Sequence, residues 1–205
     1  MIEQDPRQFL KDCLSLPPDS PTTVMYEPSP PPPSNSWLGG TTGSCWRASG
    51  QGAKAETIQF LKQHTLPQLQ LHMVTFENTA GQQWDMMCYI AQDEQGFWHM
   101  LGSAGSPRPS VRHTSPSFPW VRIVGMNGEH GIWAGGYLTD EAANVYRVRL
   151  ISKDGEVMED IVEQGCVLFL TDHPVAGPFQ LEAYIDTDAL LGAQTVFDYG
   201  EVENF

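Results

Sequence analysis

The feature of this sequence that most constrains its fold is a run of short β-type segments through residues 120 to 205. Each segment alternates apolar and polar side chains or is apolar throughout, and turn-forming residues separate it from the next. We count about seven: WVRIV, GIWAGGYL, NVYRVRLI, EVMEDIV, CVLFL, FQLEAYI and AQTVF. The only helical pattern among them is a single turn at residues 140 to 143. This spacing is typical of an all-β sandwich.

Two of these segments predict how their strands are placed. In NVYRVRLI, Arg147 and Arg149 point to one side and the apolar residues between them point to the other, so one face of that strand meets solvent. CVLFL, residues 166 to 170, is apolar on both faces. We therefore expect CVLFL to be a central strand.

The first half of the chain predicts two helices and three strands. Residues 5 to 14 form the first helix, with Asp5 as its cap and Pro6 at its first position. Residues 53 to 64 show apolar side chains at helical spacing and predict a second helix that ends at Leu66-Pro67. The strands that follow are LQLHMVTFEN, QWDMMCYIAQ and FWHMLGS.

The last two of these strands predict a hairpin. The turn Asp93-Glu94-Gln95-Gly96 has the pattern of a type I turn with a bulged glycine. The expected cross-strand partners are Ile90 with Trp98, Cys88 with Met100, and Ala91 with His99.

The fold class that follows is mainly β (α+β), with an N-terminal helix plus antiparallel sheet unit followed by an all-β Ig-like sandwich. We place the first unit at residues 1–105, a Pro-rich linker at residues 106–119 and the sandwich at residues 120–205. The prolines at 30 to 33 predict a stiff extended spacer within the first unit.

Composition limits the partners and the compartment. Asp and Glu total 25 against 11 Lys and Arg, which gives a net charge of −14 and argues against binding to nucleic acid or to an anionic membrane surface. The start of the chain has no targeting pattern and no apolar run is long enough to span a membrane, so we expect a soluble, cytoplasmic protein. The four cysteines lie far apart without metal-ligand spacing, so we expect free thiols, no metal and no cofactor.

One motif suggests nucleophilic catalysis. Gly43-Ser44-Cys45-Trp46 resembles the nucleophile motif of papain-like cysteine proteases, and His173 lies 128 residues after Cys45. In that family a catalytic His follows the Cys by about 130 to 150 residues. The resemblance implies Cys45 as nucleophile and His173 as base.

Three departures count against this catalytic pair. Gly50 and Gly52 follow Cys45 closely, so no helix is expected to begin there and lower the pKa of the thiol. No Gln precedes Cys45 as far back as Trp37 to donate to an oxyanion, and no Asn follows His173 before Asn204 to orient the imidazole. A Gly-rich loop whose Cys-Trp pair docks on the core explains the same residues.

The predicted hairpin offers a second candidate site. The register places Cys88 and His99 on opposite faces, so they cannot share a metal ion. If the face that carries Tyr89 and His99 is concave, it would form a pocket. Its candidate ligand-binding residues are His72, Tyr89, Phe97 and His99. The face that carries them either lines a pocket or is a second core face packed on the sandwich.

Two functions remain open at this stage. The first is a non-catalytic binding or assembly protein that acts through contacts with a protein partner or with a second copy, and this is the function that we favour. The second is an enzyme, either a cysteine hydrolase with Cys45 and His173 or a small-molecule pocket enzyme built around Tyr89 and His99.

Overall fold

The computed structural model describes residues 5–15, 52–108, 121–128, 131–138 and 144–196. These residues form one α-helix, one short 3₁₀ turn and eleven strands, and every strand pairing is antiparallel, so the predicted mainly β (α+β) class is confirmed. The chain divides into two compact units, Met1–Pro109 and Ser110–Phe205. The domain and linker limits that the sequence suggests stay a prediction, because residues 109–120 lie outside the described ranges. None of the described helices is long and apolar enough to cross a membrane.

The first unit is a four-stranded sheet with one helix packed on it. Its elements are α1 (Pro6–Ser15), β1 (Gln59–Leu66), β2 (Leu69–Glu77), β3 (Gln83–Gln92) and β4 (Trp98–Pro107). The strands pair in sequence order. Leu10 and Leu14 of α1 are buried in one core cluster with Val74, Phe76, Met86, Cys88 and Ile90 from the sheet. The predicted first helix is therefore present, and its apolar side covers one face of the sheet.

The predicted helix over residues 53 to 64 is wrong. Ala55–Thr57 forms a single 3₁₀ turn, and Gln59–Leu66 is strand β1, which pairs with β2. The pairing closes around Pro67-Gln68, where Leu66 lies opposite Leu69. An isolated helix of twelve or so residues is marginal in water. The backbone hydrogen bonds of this hairpin therefore outweigh the helical spacing of the side chains.

The hairpin of β3 and β4 is present, and one of its three predicted cross-strand pairs is correct. Ala91 lies opposite His99 as predicted. Partners change in opposite directions along antiparallel strands, so Ile90 lies opposite Met100 and not opposite Trp98.

A β-bulge shifts the register farther from the turn. The pairing changes between Tyr89 and Ile90, so Cys88 lies opposite Ser103 and the predicted pair of Cys88 with Met100 is wrong. The turn itself has the expected bulged glycine, because Gly96 has a φ of 90° and its N–H donates to the Asp93 carbonyl. Short-range turn chemistry was thus readable from the sequence, whereas the bulge was not.

The second unit consists of two sheets that share a core. Its strands are β5 (Val121–Gly128), β6 (Gly131–Leu138), β7 (Arg147–Ile151), β8 (Val157–Ile161), β9 (Cys166–Leu170), β10 (Phe179–Tyr184) and β11 (Leu190–Val196). One sheet has the order β5-β6-β9 and the other β11-β10-β7-β8. Both contribute to one buried cluster, which includes Ile132, Val148, Leu150, Val167, Phe169, Phe179 and Leu181. The two layers form the sandwich that the strand spacing predicted.

The prediction that CVLFL is a central strand is wrong. It forms β9, which stands at the end of its sheet and pairs only with β6 among the described strands. Its Val167 and Phe169 side chains are nevertheless buried in the core that the two sheets share. The chain turns tightly from β8 into β9 at Gln164-Gly165, where both φ values are positive, 51° and 74°. Glu163 and Cys166 exchange two backbone hydrogen bonds across this turn, as in a type I′ hairpin.

Candidate functional site

Only one residue of the predicted catalytic pair lies among the described residues. Cys45 lies outside the described residues, whereas His173 is exposed after β9. Its Nδ1 lies 3.1 Å from Asp172 Oδ1 and its Nε2 lies 2.9 Å from Glu156 Oε1. The hydrogen bond to Asp172 is the largest cause of a raised pKa of the imidazole, and the hydrogen bond to Glu156 is the second. Both ring nitrogens are thus engaged by carboxylates, an arrangement that ties the His173 segment to the β7–β8 turn.

The four candidate ligand residues do not lie on one face. Tyr89 pairs with Leu71, and its neighbour Cys88 pairs with His72. Adjacent residues of a strand point to opposite faces, so His72 lies on the side of the sheet opposite to Tyr89. Tyr89 is buried, and Phe97 lies at the turn with 56% of its surface exposed. The prediction placed His72 on the same face as Tyr89, whereas the structure places it on the opposite face.

His99 is engaged by the turn that precedes it. Its Nε2 lies 2.7 Å from Asp93 Oδ2, and Asp93 Oδ1 accepts the backbone N–H groups of Gln95 and Phe97 at 2.9 Å. The hydrogen bond from His99 is the main cause of the lowered pKa of Asp93. His99 thus helps to fix the hairpin turn, and a small-molecule role for Tyr89, Phe97 and His99 stays a prediction.

The described parts of the chain contain no candidate metal site. No three His, Cys, Asp or Glu side chains among those residues come close enough to hold a metal ion. The expected absence of a metal and a cofactor remains a prediction for the whole chain.

The most organised polar arrangement lies on the outer face of the four-stranded sheet in the second unit. Its centre, which we call the arginine–tyrosine cluster, comprises Arg147, Arg149, Glu159, Glu182, Tyr184 and Asp188. Cross-strand register creates it, because β7 lies between β8 and β10. Arg149 is opposite both Glu159 and Glu182, and Arg147 is opposite Tyr184.

Tyr184 lies against both guanidinium groups. The guanidinium carbon of Arg147 is 4.7 Å and that of Arg149 is 5.1 Å from the centre of the Tyr184 ring. Both distances are within the range of a cation–π interaction. The Tyr184 hydroxyl donates to Glu182, and this hydrogen bond raises the pKa of the phenol. The ring therefore contacts two guanidinium groups, and its hydroxyl is held by a carboxylate.

Ion pairs hold the two arginines in place. Arg149 Nε donates to Glu159 Oε2 at 2.6 Å, and Arg147 lies 3.3 Å from Glu159 and 3.0 Å from Asp188. The hydrogen bond from Arg149 is the largest cause of the lowered pKa of Glu159. Only 15% of the Arg147 side chain is exposed, and 34% of that of Arg149. The cluster is thus ordered and partly desolvated before any partner arrives.

Exposed apolar side chains flank the cluster at both edges of the sheet. Val157 and Ile161 of the edge strand β8 are 52% and 44% exposed, and Leu190 at the start of β11 is 53% exposed. Ile161 is opposite Arg147 and Leu190 is opposite Tyr184, so these side chains continue the same outer face. Ordered arginine and tyrosine side chains beside exposed apolar groups suit contact with another protein.

Only part of this face was predictable from the sequence. The alternation in NVYRVRLI placed Arg147 and Arg149 on the solvent-facing side of one strand, but Tyr184 was not predicted. A signal was present, because FQLEAYI alternates in the same way and places Gln180, Glu182 and Tyr184 on one side. What joined the two segments was the neighbouring position of β7 and β10 in the sheet.

Comparisons with protein-family models, with curated proteins and with solved structures find no match to this chain. The functional conclusion therefore comes from the arrangement of the chain's own residues.

Proposed function

We propose that this chain is a non-catalytic binding or assembly protein that acts through protein–protein contacts made by the outer face of the β11-β10-β7-β8 sheet. The observation that carries the proposal is the contact of Tyr184 with Arg147 and Arg149 on an open sheet face. The partner is either a different protein or a second copy of this chain.

The energetics of protein interfaces support this use of the arginine–tyrosine cluster. Residues that dominate binding free energy are enriched in Tyr, Trp and Arg and lie where water is excluded on binding. Ordering a long side chain on binding costs about 0.5–1.5 kcal/mol. Arg147 and Arg149 are already held by ion pairs with Glu159, so binding of a partner there incurs little of this ordering cost.

Charge supports a partner with basic groups. Three carboxylates, those of Glu159, Glu182 and Asp188, surround the two guanidinium groups, and the whole chain carries a net charge of −14. A field of this sign attracts a basic protein surface and accelerates its encounter. The exposed Val157, Ile161 and Leu190 side chains supply the apolar area that ion pairs alone do not provide.

The test compares two variants that each remove one positive charge. Arg149→Ala removes a group of the cluster, whereas Lys153→Ala removes an exposed charge from the β7–β8 turn. The tagged full chain and both variants are incubated with an extract of the source cells, and retained proteins are quantified. Self-association is measured in parallel by sedimentation velocity.

We expect Arg149→Ala to weaken the association about 30-fold, which corresponds to a hot-spot loss of about 2 kcal/mol. Lys153→Ala should bind as the parent chain does. Equal binding by all three proteins, with thermal unfolding showing that each is folded, would remove the outer face as the contact surface.

A further inference from the structure

We propose that α1 is an acid-sensitive latch in which protonation of His72, buried beneath the helix, releases α1 from the sheet of the first unit. This inference is independent of the binding surface on the second unit. It concerns a conformational change within residues 5–15 and 52–108, which belong to one unit.

The geometry around His72 disfavours a proton on the ring. His72 is fully buried and lies opposite Cys88 of β3 and Gln63 of β1. Its Nε2 lies 2.8 Å from Gln70 Oε1, whereas its Nδ1 is buried without a hydrogen-bond partner. The imidazolium form would carry an N–H at both nitrogens, and one of them would have no acceptor.

The Phe60 ring of β1 and the Arg7 side chain of α1 complete this environment. The ring of Phe60 meets His72 edge-on with 5.7 Å between ring centres, and the Arg7 guanidinium carbon lies 5.3 Å above the same Phe60 ring. Arg7 also donates to Gln63 Oε1 at 2.9 Å. A cation is therefore fixed close to His72 by the docked helix.

The titratable groups near His72 are few among the described residues. Arg7 and Asp5 at the start of α1 act on His72 electrostatically, and the Cys88 thiol belongs to its cross-strand partner on β3, with the Cys13 thiol of α1 near Cys88. Burial first, and then the Arg7 charge, lower the pKa of His72 to about 4, while Asp5 opposes this weakly. Asp5 accepts the Arg7 backbone N–H at 3.0 Å as the helix cap, so its carboxylate is directed to the helix.

The helix is the element that yields most readily. α1 has only ten residues, and a helix of this length is marginal without tertiary contacts. It is held by the buried Leu10 and Leu14, by the Arg7 contacts, and by the hydrogen bond from the Ala53 N–H to the Leu14 carbonyl at 2.9 Å. His72 itself belongs to β2, which is paired with a strand on each side. Undocking α1 is thus the smallest change that gives the imidazole access to water.

The sign and size of the effect follow from the pKa difference. A histidine whose pKa is lowered in the docked state from 6.5 to about 4 stabilises docking above pH 6.5 and loses this contribution as the pH falls toward 4. If released His72 titrates normally, the ratio of released to docked protein rises about 30-fold between pH 7.5 and pH 5.

Hydrogen exchange of the full chain tests the latch. Backbone protection is measured by mass spectrometry at pH 7.5 and pH 5 and corrected for the intrinsic pH dependence of exchange. We expect protection of the peptide that covers α1 to fall about 30-fold, with little change in β9 and β10 of the second unit. His72→Gln should abolish the pH dependence, and His64→Gln, a substitution in β1 on the other side of the sheet, should keep it.

Several outcomes would overturn the proposal. They are unchanged protection of α1 at pH 5, loss of protection in β2 and β3 together with α1, and persistence of the effect in a folded His72→Gln variant. If His72→Gln does not fold, Arg7→Gln gives a second test. Removal of the nearby cation raises the pKa of docked His72, so the fold loss of α1 protection between pH 7.5 and pH 5 should be smaller than in the parent chain, and an equal loss would count against the latch.

Discussion

The buried carboxylate of Asp160 on β8 accepts a hydrogen bond from the backbone N–H of Leu168 on β9 at 2.7 Å. This N–H points away from β6, because the β6–β9 ladder uses the alternate residues, as the bond from the Thr171 N–H to the Ile132 carbonyl shows. A side chain thus occupies a position on the edge of β9 where a further strand would otherwise bond. Such a carboxylate also discourages the addition of another chain at this edge.

Replacing Asp160 with Ala should lower the free energy of unfolding of the second unit by about 1–3 kcal/mol, because a buried N–H loses its acceptor. Asp160→Asn keeps an acceptor oxygen and should cost less. Urea unfolding followed by circular dichroism measures both. Asp154→Ala, at the exposed β7–β8 turn, is the control and should stay within about 0.5 kcal/mol of the parent. An Asp160→Ala protein as stable as this control would contradict the capping role.

Two glycines of the second unit should respond differently to substitution with Ala. A Cβ at Gly125 would lie 2.4 Å from the Trp133 carbonyl oxygen, which is backbone and cannot move aside cheaply. At Gly155 a Cβ would meet no atom within 4 Å, and only the φ of 85° is unfavourable. We expect Gly155→Ala to cost about 1 kcal/mol and Gly125→Ala to cost about 3 kcal/mol or more. Thermal unfolding of the two variants measures these losses of stability, and equal losses would refute the steric argument.

The fold was predictable from the sequence where local patterns and final contacts agree. β2 and β3 follow apolar runs bounded by turn residues, and the predicted segments match them within a residue at each end. Residues 53 to 64 were mispredicted because the partner of β1 decides its conformation. Side chains at helical spacing occur there, but pairing with β2 supplies a backbone ladder that no local pattern reveals.

The arginine–tyrosine cluster shows the same limit at the level of the site. The alternation of apolar and charged residues in β7 placed Arg149 on a solvent-facing side. Its partners Glu159 and Glu182, however, come from the strands on either side of β7. β7 and β10 are neighbours in the sheet although β8 and β9 lie between them in sequence. Which segments become neighbours depends on the strand order of the sandwich, and strand order is a property of the whole core.

Thiol reactivity separates the binding function from the cysteine-hydrolase alternative. Cys88 is fully buried, and burial raises the pKa of its thiol, so it should alkylate very slowly at neutral pH. A non-catalytic protein should show Cys45 reacting no faster than a cysteine in an unstructured peptide, whose pKa is about 8.5. Mass spectrometry of chains treated with iodoacetamide at pH 7 gives the rate at each site. Selective rapid alkylation of Cys45 would favour the hydrolase, and Cys45→Ala would then be the variant to assay.

His173 should stabilise the second unit at acidic pH and not at alkaline pH. Its pKa is raised in the folded state by Asp172 and Glu156, so its contribution is fully present below the unfolded value of 6.5 and is lost as the pH rises through the folded pKa. The melting temperature of His173→Gln should therefore fall below that of the parent at pH 6 and approach it at pH 9. NMR titration should place the parent imidazole above 6.5, and Glu156→Gln should lower that midpoint because it removes one of the two carboxylates. A midpoint at or below 6.5 in the parent chain would mean that the two ion pairs do not persist in solution.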